Sequence, residues 1–321
     1  MPSTTAPRIA LAPDGAPSWM ADAIVAGGGH VVPPAEADAL VWAAPRAPEA
    51  LRDLLDEHPH FTWVQLPFAG IEQFVDLLDD DRQWTCGKGV YAEPVAEMAL
   101  ALALAGMRHV GAYAAATEWG RPHGRNLLGA RVTILGGGGI ARVLVSLLAP
   151  FRCEVTVVRR SSGPDDGLDP ASGSGGASGG GSVRVVSVDR LAEALTGAEA
   201  LVLALPLLPE TRRIVGDAEL ARLAPGAWVV NVARGQHVDT DALVAALDSG
   251  QAGGAGLDVT DPEPLPDGHP LWGRSNVIIT PHTGNTPEMA KPLLSARVSA
   301  NVAAYGAGRA LVGLIDPDLG Y

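Results

Sequence analysis

Cysteine is scarce in this chain, and its scarcity excludes two classes of protein. The 321 residues include only two cysteines, Cys86 and Cys153, which lie far apart in the sequence. A disulfide scaffold needs several paired cysteines, and a thiolate zinc site needs ligands at close spacing. The histidines also lack the spacing of a metal-binding helix. We therefore expect a cytoplasmic protein that binds no metal.

Positive charge and long apolar segments are lacking as well. The formal net charge is -13 and the sequence pI is ≈ 5.0. Because nucleic-acid-binding surfaces neutralise phosphates with basic side chains, we expect no nucleic-acid partner. The longest uninterrupted apolar run, from Met98 to Met107, has ten residues, whereas a membrane-spanning helix needs about 18 or more. The first residues also show no basic region followed by a long apolar one, so neither a membrane span nor a secretory signal is expected.

Short apolar runs alternate with helix-like segments along most of the chain. One such series covers residues 8 to about 90, and a second begins near Arg131. This alternation predicts mainly parallel sheets, and a length of 321 residues fits two α/β domains of roughly 150 residues each. Between the two series, a helix that starts near Pro94 carries apolar residues almost all round. Such a helix is expected to lie between domains or subunits.

Residues 163–182 form a segment of glycine, serine and aspartate that interrupts the second series. Its composition offers too little apolar surface to offset the entropy of ordering it. We predict a flexible surface insertion. A domain boundary is the competing interpretation, but segments of similar strand character lie on both sides.

The segment LGGGGIA follows an apolar strand and begins a helix. Gly136, Gly138 and Ala141 fit the G-x-G-x-x-G/A pattern. The first glycine permits a tight turn, the second lets the backbone approach a pyrophosphate, and the small third residue lets the helix pack against the strand. The segment therefore predicts a dinucleotide site that includes Gly139 and Ile140. An ordinary turn between strand and helix is the alternative.

The next strand, CEVTVV, is followed by Arg159 and Arg160. A site selective for NAD usually places an acidic side chain here to bind the ribose hydroxyls, but no acid occurs before Asp165. Two guanidinium groups suit a 2′-phosphate, because each offers a planar fork of donors. The pair favours NADP as cofactor, and NAD is the alternative. The interpretation without a cofactor role is that both arginines are solvated residues at the end of the strand.

Three chemically active side chains follow strands of the second series. Arg234 ends the apolar strand AWVVNVA, Glu263 lies in a proline-rich loop, and His282 follows the strand NVIIT. In an open α/β sheet, ligands bind beside the carboxyl ends of the strands. The trio suggests an anion clamp together with a paired acid and base, although each residue alone is more often structural.

Five segments distributed over most of the chain carry a further signal. They are LGGGGIA, LALPLLPETRRIV, NVARGQHVDTDALVAAL, LDVTDPEPLPDGHPLW and NVIITPHTGNT. In sequence, order and spacing these segments resemble the D-isomer-specific 2-hydroxyacid dehydrogenases, a family that includes glyoxylate/hydroxypyruvate reductases and phosphoglycerate dehydrogenase. The resemblance covers nearly the whole chain.

The resemblance implies a particular domain organisation. A Rossmann cofactor domain would occupy residues 97–287 and be inserted into a flavodoxin-like substrate domain made of residues 1–96 and 288–321. The family also implies a homodimer, for which the apolar helix near Pro94 is a plausible interface. The expected partner is a small 2-oxo or 2-hydroxy acid.

The resemblance also assigns roles within the trio. Arg234 would bind the substrate carboxylate and polarise the 2-oxo group, because a fixed guanidinium favours charge that develops on the carbonyl oxygen. His282 would be the general acid in reduction, and Glu263 would orient its ring. The expected activity is reduction of a small 2-oxo acid of the glyoxylate or hydroxypyruvate type to the D-2-hydroxy acid.

Further contacts are carried over from the family. Backbone amides of the substrate domain would hold the carboxylate of the substrate. The residues implied there are Phe68, Ala69 and Gly70, and further cofactor contacts are implied at Pro206, Val232, Ala233 and Asp258. Among the other residues considered, we predict that Trp42 and Trp119 are core residues rather than walls of the active site, and that His237 is exposed rather than catalytic.

Two other functions remain open at the level of sequence. A nucleotide-sensing corepressor shares this fold and trio, although the acidic charge and the lack of a partner-binding tail argue against it. Formate dehydrogenases are enzymatic neighbours that usually have glutamine at the position of Glu263. Because a carboxylate supports a protonated histidine and an amide does not, Glu263 favours 2-oxo acid reduction.

Overall fold

A computed structural model describes residues 6–160, 168 and 181–317, which divide into two compact units. The five-stranded unit comprises Met1–Tyr91 and Thr286–Tyr321, and the seven-stranded unit comprises Ala92–Asn285. The chain thus leaves the first unit, builds the second without interruption, and returns. The assignment of residues 97–287 to a cofactor domain and of the remaining residues to a substrate domain stays a prediction.

The five-stranded unit is a parallel α/β sheet. Its strands are β1 (Arg8–Ala12), β2 (His30–Val31), β3 (Ala39–Trp42), β4 (Trp63–Gln65) and β5 (Gln83–Thr85). They pair in the order β2-β1-β3-β4-β5, and every pairing is parallel. This is the flavodoxin-like strand order. Its helices in the described chain are α1 (Ser18–Ala26), α2 (Pro48–Glu57) and the C-terminal helix Pro287–Gly306.

The seven-stranded unit is a larger parallel sheet. Its strands are β6 (Arg131–Leu135), β7 (Glu154–Arg159), β8 (Val183–Ser187), β9 (Ala200–Leu203), β10 (Ala227–Asn231), β11 (Ala252–Leu257) and β12 (Val277–Ile279). Its helices are α3 (Ala92–Met107), α4 (Val110–Ala114), α5 (Gly139–Leu148), α6 (Leu191–Leu195), α7 (Asp217–Leu220) and α8 (Thr240–Ser249), so the C-terminal helix is α9.

The strand order of this unit is β12-β11-β10-β9-β6-β7-β8. Counted within the unit, this is the Rossmann order 3-2-1-4-5-6 with one further strand beside the last. The central strands β9 and β10 are buried throughout, which explains why their sequences are continuous apolar runs without alternation. The predicted class, two doubly wound parallel α/β sheets, is confirmed.

Local sequence also sets the ends of the elements. Helix α8 begins after Asp239, whose carboxylate accepts hydrogen bonds from the backbone N–H groups of Asp241 and Ala242 at 3.1 and 3.2 Å. It ends at Gly250, which has φ 77, a left-handed conformation that favours glycine. The helix therefore has one sequence signal at each end.

Helix α3 is the apolar helix predicted near Pro94. It packs against α5 and strand β10 of its own unit. At Gly106, an added Cβ would lie 1.9 Å from the ring of Trp228, so this glycine is needed for the close approach of helix and sheet. The inner face of α3 is therefore part of the core of the seven-stranded unit.

The two tryptophan predictions have different outcomes. Trp42 is 1% exposed and lies in the core of the five-stranded unit, as predicted. Trp119 is fully exposed, so its assignment to the core was wrong. It lies in the polar segment TEWGRPHGRN, which contains no other large apolar side chain to pack around it.

Most of the glycine/serine insertion lies outside the described residues. The strands on either side of it, β7 and β8, pair directly in parallel register, so they belong to one sheet and not to separate domains. In the described parts of the chain, no helix is both long enough and apolar enough to cross a membrane.

Candidate active site

The glycine-rich segment forms the tight connection between β6 and α5. Gly136 has φ 111, and an added Cβ would lie 2.2 Å from the carbonyl oxygen of Ala204. Gly138 faces open space, and Ala141 is fully buried. The turn therefore has the features required of a dinucleotide cradle, namely a glycine-only bend, an accessible backbone and a helix packed closely on the sheet.

Arg159 lies beside this cradle at the end of β7. An added Cβ at Gly137 would meet the side chain of Arg159 at 3.0 Å, so the aliphatic part of the arginine packs against the glycine turn. Arg160, the next residue, is exposed, and its carbonyl accepts a hydrogen bond from the hydroxyl of Ser187 at 3.1 Å. The structure thus brings one of the two predicted arginines into contact with the glycine segment.

Arg234 lies on a loop that is held by hydrogen bonds from Asn231, the last residue of β10. Asn231 is 1% exposed, and its side chain accepts from the N–H of Ala233 at 3.0 Å and donates to the carbonyl of Arg234 at 2.9 Å. Arg234 is half-buried, and its Nη1 donates to the carbonyl of Ala233 at 2.7 Å. Asn231 was not assigned a role from the sequence, although a polar residue at the end of a buried strand is a signal for one.

Gly235 lets this loop approach the chain that follows β11. An added Cβ at Gly235 would lie 2.0 Å from the backbone carbonyl of Thr260. Strands β10 and β11 are also neighbours in the sheet. The loop of Arg234 and the loop that leads to Glu263 therefore pack against one another.

Glu263 and His282 form a direct hydrogen bond, with 2.8 Å between Oε1 of the glutamate and Nδ1 of the histidine. The imidazole is about half exposed. Because Nδ1 is bonded to a carboxylate, it carries a proton, and Nε2 is the nitrogen left for a ligand. The arrangement is that of an acid or base oriented by a carboxylate.

Asp258 holds the segment that carries His282. Its side chain is 3% exposed and accepts from the hydroxyl of Thr280 at 2.6 Å and from the N–H groups of Thr283 and Gly284 at 2.8 Å each. The N–H of His282 donates to the carbonyl of Asp258 at 2.9 Å. A carboxylate saturated by donors in this way fixes the backbone around the histidine, which itself has φ 53.

His237 is 0% exposed, so the prediction that it is exposed was wrong. Its Nε2 lies 3.1 Å from the carbonyl oxygen of Pro206, and its Nδ1 accepts from the N–H of Arg234 at 3.2 Å. A polar ring is buried here because both nitrogens have partners. Pro206 itself is exposed at the end of the segment that follows β9.

Two further predicted contacts can involve only the backbone. The side chains of Val232 and Ala233 are 7% and 6% exposed and belong to the two cores of the seven-stranded unit. Ile140 is partly buried against one of them. A cofactor would therefore meet the carbonyl or N–H groups of Val232 and Ala233 and not their side chains.

The loop of Phe68, Ala69 and Gly70 belongs to the five-stranded unit. Phe68 is 40% exposed, and its ring lies 6.2 Å from that of Tyr91. The Tyr91 hydroxyl donates to the carbonyl of Pro67 at 2.9 Å, and burial raises its pKa above the ordinary value. Tyr91 was not predicted from the sequence. It supports the base of this loop and leaves the Phe68 ring accessible.

The described residues contain no group of three or more histidine, cysteine, aspartate or glutamate side chains able to hold a metal ion. Cys86 and Cys153 are both buried free thiols. The absence of a metal requirement stays a prediction.

Comparisons with known proteins agree on one family. Residues 98–284 match the family model described as D-isomer specific 2-hydroxyacid dehydrogenase, NAD binding domain. An uncharacterised protein from Corynebacterium melassecola is 36% identical over 93% of this chain and 95% of its own length. A glyoxylate/hydroxypyruvate reductase A from Serratia proteamaculans is 35% identical over 59% of this chain, and the match spans just over half of that reductase, 56%.

Solved structures show the same relationship over the full length. A D-isomer specific 2-hydroxyacid dehydrogenase from Xanthobacter autotrophicus, in complex with NADPH, is 26% identical with a TM-score of 0.80, and the match covers 99% of this chain and 100% of that one. An NADPH-dependent glyoxylate/hydroxypyruvate reductase from Sinorhizobium meliloti, in complex with NADP, is 25% identical with a TM-score of 0.77 over the same shares.

Proposed function

Because the chain belongs to the D-isomer-specific 2-hydroxyacid dehydrogenase family, we propose that it reduces a small 2-oxo acid of the glyoxylate or hydroxypyruvate type to the D-2-hydroxy acid, with NADPH as the preferred cofactor. The observation that carries the proposal is the hydrogen bond between Glu263 and His282. The pair follows β11 and β12, beside the loop of Arg234. An oriented acid next to an anion-binding arginine is what reduction of a 2-oxo acid requires.

His282 supplies the proton in this scheme. As the 2-oxo group becomes an alkoxide, its oxygen takes the proton from Nε2, while the Nδ1 proton stays shared with the Glu263 carboxylate. The imidazole then regains a proton from water. In oxidation, the same nitrogen removes the hydroxyl proton of the substrate. Glu263 stabilises the doubly protonated ring and keeps Nε2 directed away from the protein.

Arg234 binds and polarises the substrate. Its guanidinium offers a planar fork of donors to the carboxylate and to the 2-oxo oxygen, where negative charge develops. The side-chain amide of Asn231 donates to the carbonyl of Arg234 and so fixes its backbone. A second contact with the carboxylate is proposed from the backbone N–H groups of the exposed Phe68–Gly70 loop of the five-stranded unit.

The residues of the glycine turn fit a dinucleotide. The bend at Gly136 requires glycine, and the open space at Gly138 admits a phosphate close to the backbone. When bound, the nicotinamide supplies the hydride. Arg159, packed on the turn, and Arg160 would bind the 2′-phosphate that distinguishes NADPH from NADH, and Pro206 and Asp258 would lie near the nicotinamide.

The proposal is tested by following NADPH or NADH consumption while the purified protein is offered glyoxylate, hydroxypyruvate, pyruvate and bulkier 2-oxo acids. Turnover of the small acids, faster with NADPH, is the expected result. If the protein binds NADPH tightly but reduces no 2-oxo acid, the proposed reaction is wrong. A nucleotide-sensing role is then the remaining candidate.

Arg159→Asp is expected to lower the ratio of kcat/KM with NADPH to kcat/KM with NADH by about tenfold or more, since a hydrogen bond to a charged group contributes about 1.5–3 kcal/mol and the new carboxylate repels the phosphate. Steady-state kinetics with both cofactors measure the ratio. Arg222→Asp makes the same charge change at an exposed position beyond α7 and should leave the ratio unchanged. An unchanged ratio in Arg159→Asp refutes the assigned role.

We also propose a homodimer formed through the outer face of α3 and α4. Val110 and Tyr113 of α4 are 52% and 43% exposed, and the fully exposed Trp119 follows. Large apolar side chains grouped in this way are typical of protein interfaces.

Sedimentation velocity is expected to show a dimer at micromolar concentration. Val110→Asp should shift it toward monomer, whereas the same change at Val188, 41% exposed elsewhere in this unit, should not. A monomer at all concentrations contradicts the proposal.

A further inference from the structure

Buried polar side chains are concentrated at the strand ends that carry the candidate site. Among the described residues, the buried polar or charged side chains are Gln65, Thr85, Thr133, Asn231, His237, Asp258, Thr260 and Asn301. Four of these eight fall between residues 231 and 260. Asn231 and Asp258 already have a structural role beside Arg234 and His282. Thr260 bonds only within its own loop, to the carbonyl of Pro262 at 2.8 Å. His237 bonds to a different loop and has no role in the mechanism described above.

The hydrogen bonds of His237 define which nitrogen carries the proton. Nε2 lies 3.1 Å from the carbonyl oxygen of Pro206, and since a carbonyl only accepts, Nε2 is the donor. Nδ1 then has a lone pair that accepts from the N–H of Arg234 at 3.2 Å. The carbonyl of Arg234, 3.0 Å from Nδ1, already accepts from Asn231 Nδ2 at 2.9 Å and from the N–H of His237 at 3.2 Å. In the Nε2–H form, the ring therefore donates to the carbonyl of Pro206 and accepts from the N–H of Arg234 at the same time.

The backbone around His237 is anchored independently of its ring. The carbonyl of His237 accepts from the N–H of Val215 at 3.0 Å, and the neighbouring carbonyl of Gln236 accepts from the N–H of Arg213 at 2.7 Å. Neither bond involves the side chain of His237. What the ring adds is a direct link between two loops, one after β9 and one after β10, that are 31 residues apart in the chain.

We propose that His237 is a positioning residue, which in its Nε2–H tautomer ties the main chain of Arg234 to the carbonyl of Pro206 and so fixes the substrate-binding arginine relative to the cofactor-side loop. The inference rests on the proposed function of Arg234 and Pro206. Loss of the ring leaves the N–H of Arg234 without its acceptor and removes one of the two donors to the carbonyl of Pro206, which also accepts from the Thr211 hydroxyl at 2.8 Å. Both loops are then held less firmly.

Two variants separate the two halves of the link. His237→Asn keeps an acceptor near the position of Nδ1, so the bond from Arg234 N–H is retained and the bond to Pro206 is lost. His237→Gln keeps a donor near the position of Nε2, so the bond to Pro206 is retained and the bond from Arg234 is lost. His237→Leu fills a similar volume and loses both.

The proposal predicts that the first two variants impair different constants. His237→Gln should raise KM for the 2-oxo acid and lower kcat, by about tenfold in kcat/KM, with little change in NADPH affinity. His237→Asn should weaken NADPH binding, measured by fluorescence titration, and change KM for the acid less. His237→Leu should show both defects. Thr133→Val removes a different buried hydrogen bond, from Oγ1 to the carbonyl of Ala194 at 2.6 Å, and should lower Tm while leaving both constants unchanged.

The possible results decide between the alternatives. If all three His237 variants lower Tm as Thr133→Val does and leave KM and NADPH affinity unchanged, His237 is only a core residue and the proposal is wrong. Equal effects of His237→Asn and His237→Gln on both constants also overturn it. If the wild type reduces no 2-oxo acid, the proposed function fails by itself, and the difference in NADPH affinity between the two variants still tests the link to Pro206.

A second measurement does not depend on variants that fold. The ¹⁵N chemical shifts of the His237 ring in the full-length wild-type chain should show a protonated Nε2 and an unprotonated Nδ1. The opposite tautomer, with the proton on Nδ1, would remove the bond from Arg234 N–H and overturn the inference.

Discussion

Replacing His282 by alanine is expected to lower kcat for reduction of the 2-oxo acid by about 10²- to 10⁴-fold, the range typical of a lost general acid. The reason is geometric. The Glu263 carboxylate holds Nδ1 at 2.8 Å and leaves Nε2 as the proton donor to the substrate. Steady-state kinetics with NADPH at saturating acid measure the effect, and NADPH affinity should change little because the ring serves the substrate oxygen.

Two comparisons make the result specific. Glu263→Gln keeps a hydrogen-bonding partner beside Nδ1 but removes the negative charge, so kcat should fall by less than in His282→Ala. His60→Ala removes an exposed histidine of the five-stranded unit, which is bonded to the carbonyl of Pro34, and should leave kcat unchanged. An unaltered rate in His282→Ala would remove this residue from the mechanism and with it the assignment of Glu263.

Arg234→Met is expected to lower kcat by about 10²- to 10³-fold, the cost of removing a donor aimed at developing negative charge. It should also raise KM for the 2-oxo acid, because hydrogen bonds between a guanidinium and a carboxylate contribute about 1.5–3 kcal/mol. Full kinetic curves against acid concentration separate the two effects. Arg234→Lys should recover only part of the loss, since an ammonium group cannot form the planar fork.

The matched control for this change is Arg274→Met. Arg274 is paired with Asp248 at 2.8 Å and precedes β12, so it lies at the amino end of that strand, whereas Arg234 follows the carboxyl end of its own. Its removal should leave KM and kcat near the wild-type values. If Arg234→Met binds the acid as well as the wild type does, the carboxylate is held elsewhere, and the Phe68–Gly70 loop becomes the first place to look.

The sequence predicted the parts of the site whose reasons are local. Gly136 bends the chain directly after an apolar strand, and its need for glycine follows from a turn between two adjacent elements. Arg234 and His282 end apolar strands, and strands of a doubly wound sheet place their carboxyl ends at one edge. The pairing of Glu263 with His282 came from the family resemblance, and the structure brings these two side chains together.

The parts that were missed depend on partners distant in sequence. His237 is buried because Pro206, 31 residues earlier, accepts from its ring, and no local pattern marks that partner. Asp258 was expected as a cofactor contact, but its role in holding the segment of His282 depends on donors 22 to 26 residues later in the chain. Trp119 was predicted to be buried because a tryptophan usually is. It is exposed, and its own segment has no apolar neighbours to cover it. Periodicity predicts which face of an element is buried but not which distant group meets it.

The two-part make-up of the five-stranded unit has a consequence for how the protein is synthesised. Its last helix, α9, packs on α1 so closely that an added Cβ at Gly27 would lie 2.5 Å from the carbonyl of Ser299. Asn301 of that helix is fully buried and bonded to Gln65 at 2.8 Å. On the ribosome, α1 and Gln65 emerge first, yet their partners appear only after residues 92–285 have been translated. The seven-stranded unit therefore has its whole sequence before the five-stranded unit does, and the surface of the nascent five-stranded sheet that binds α9 stays uncovered until α9 has been translated.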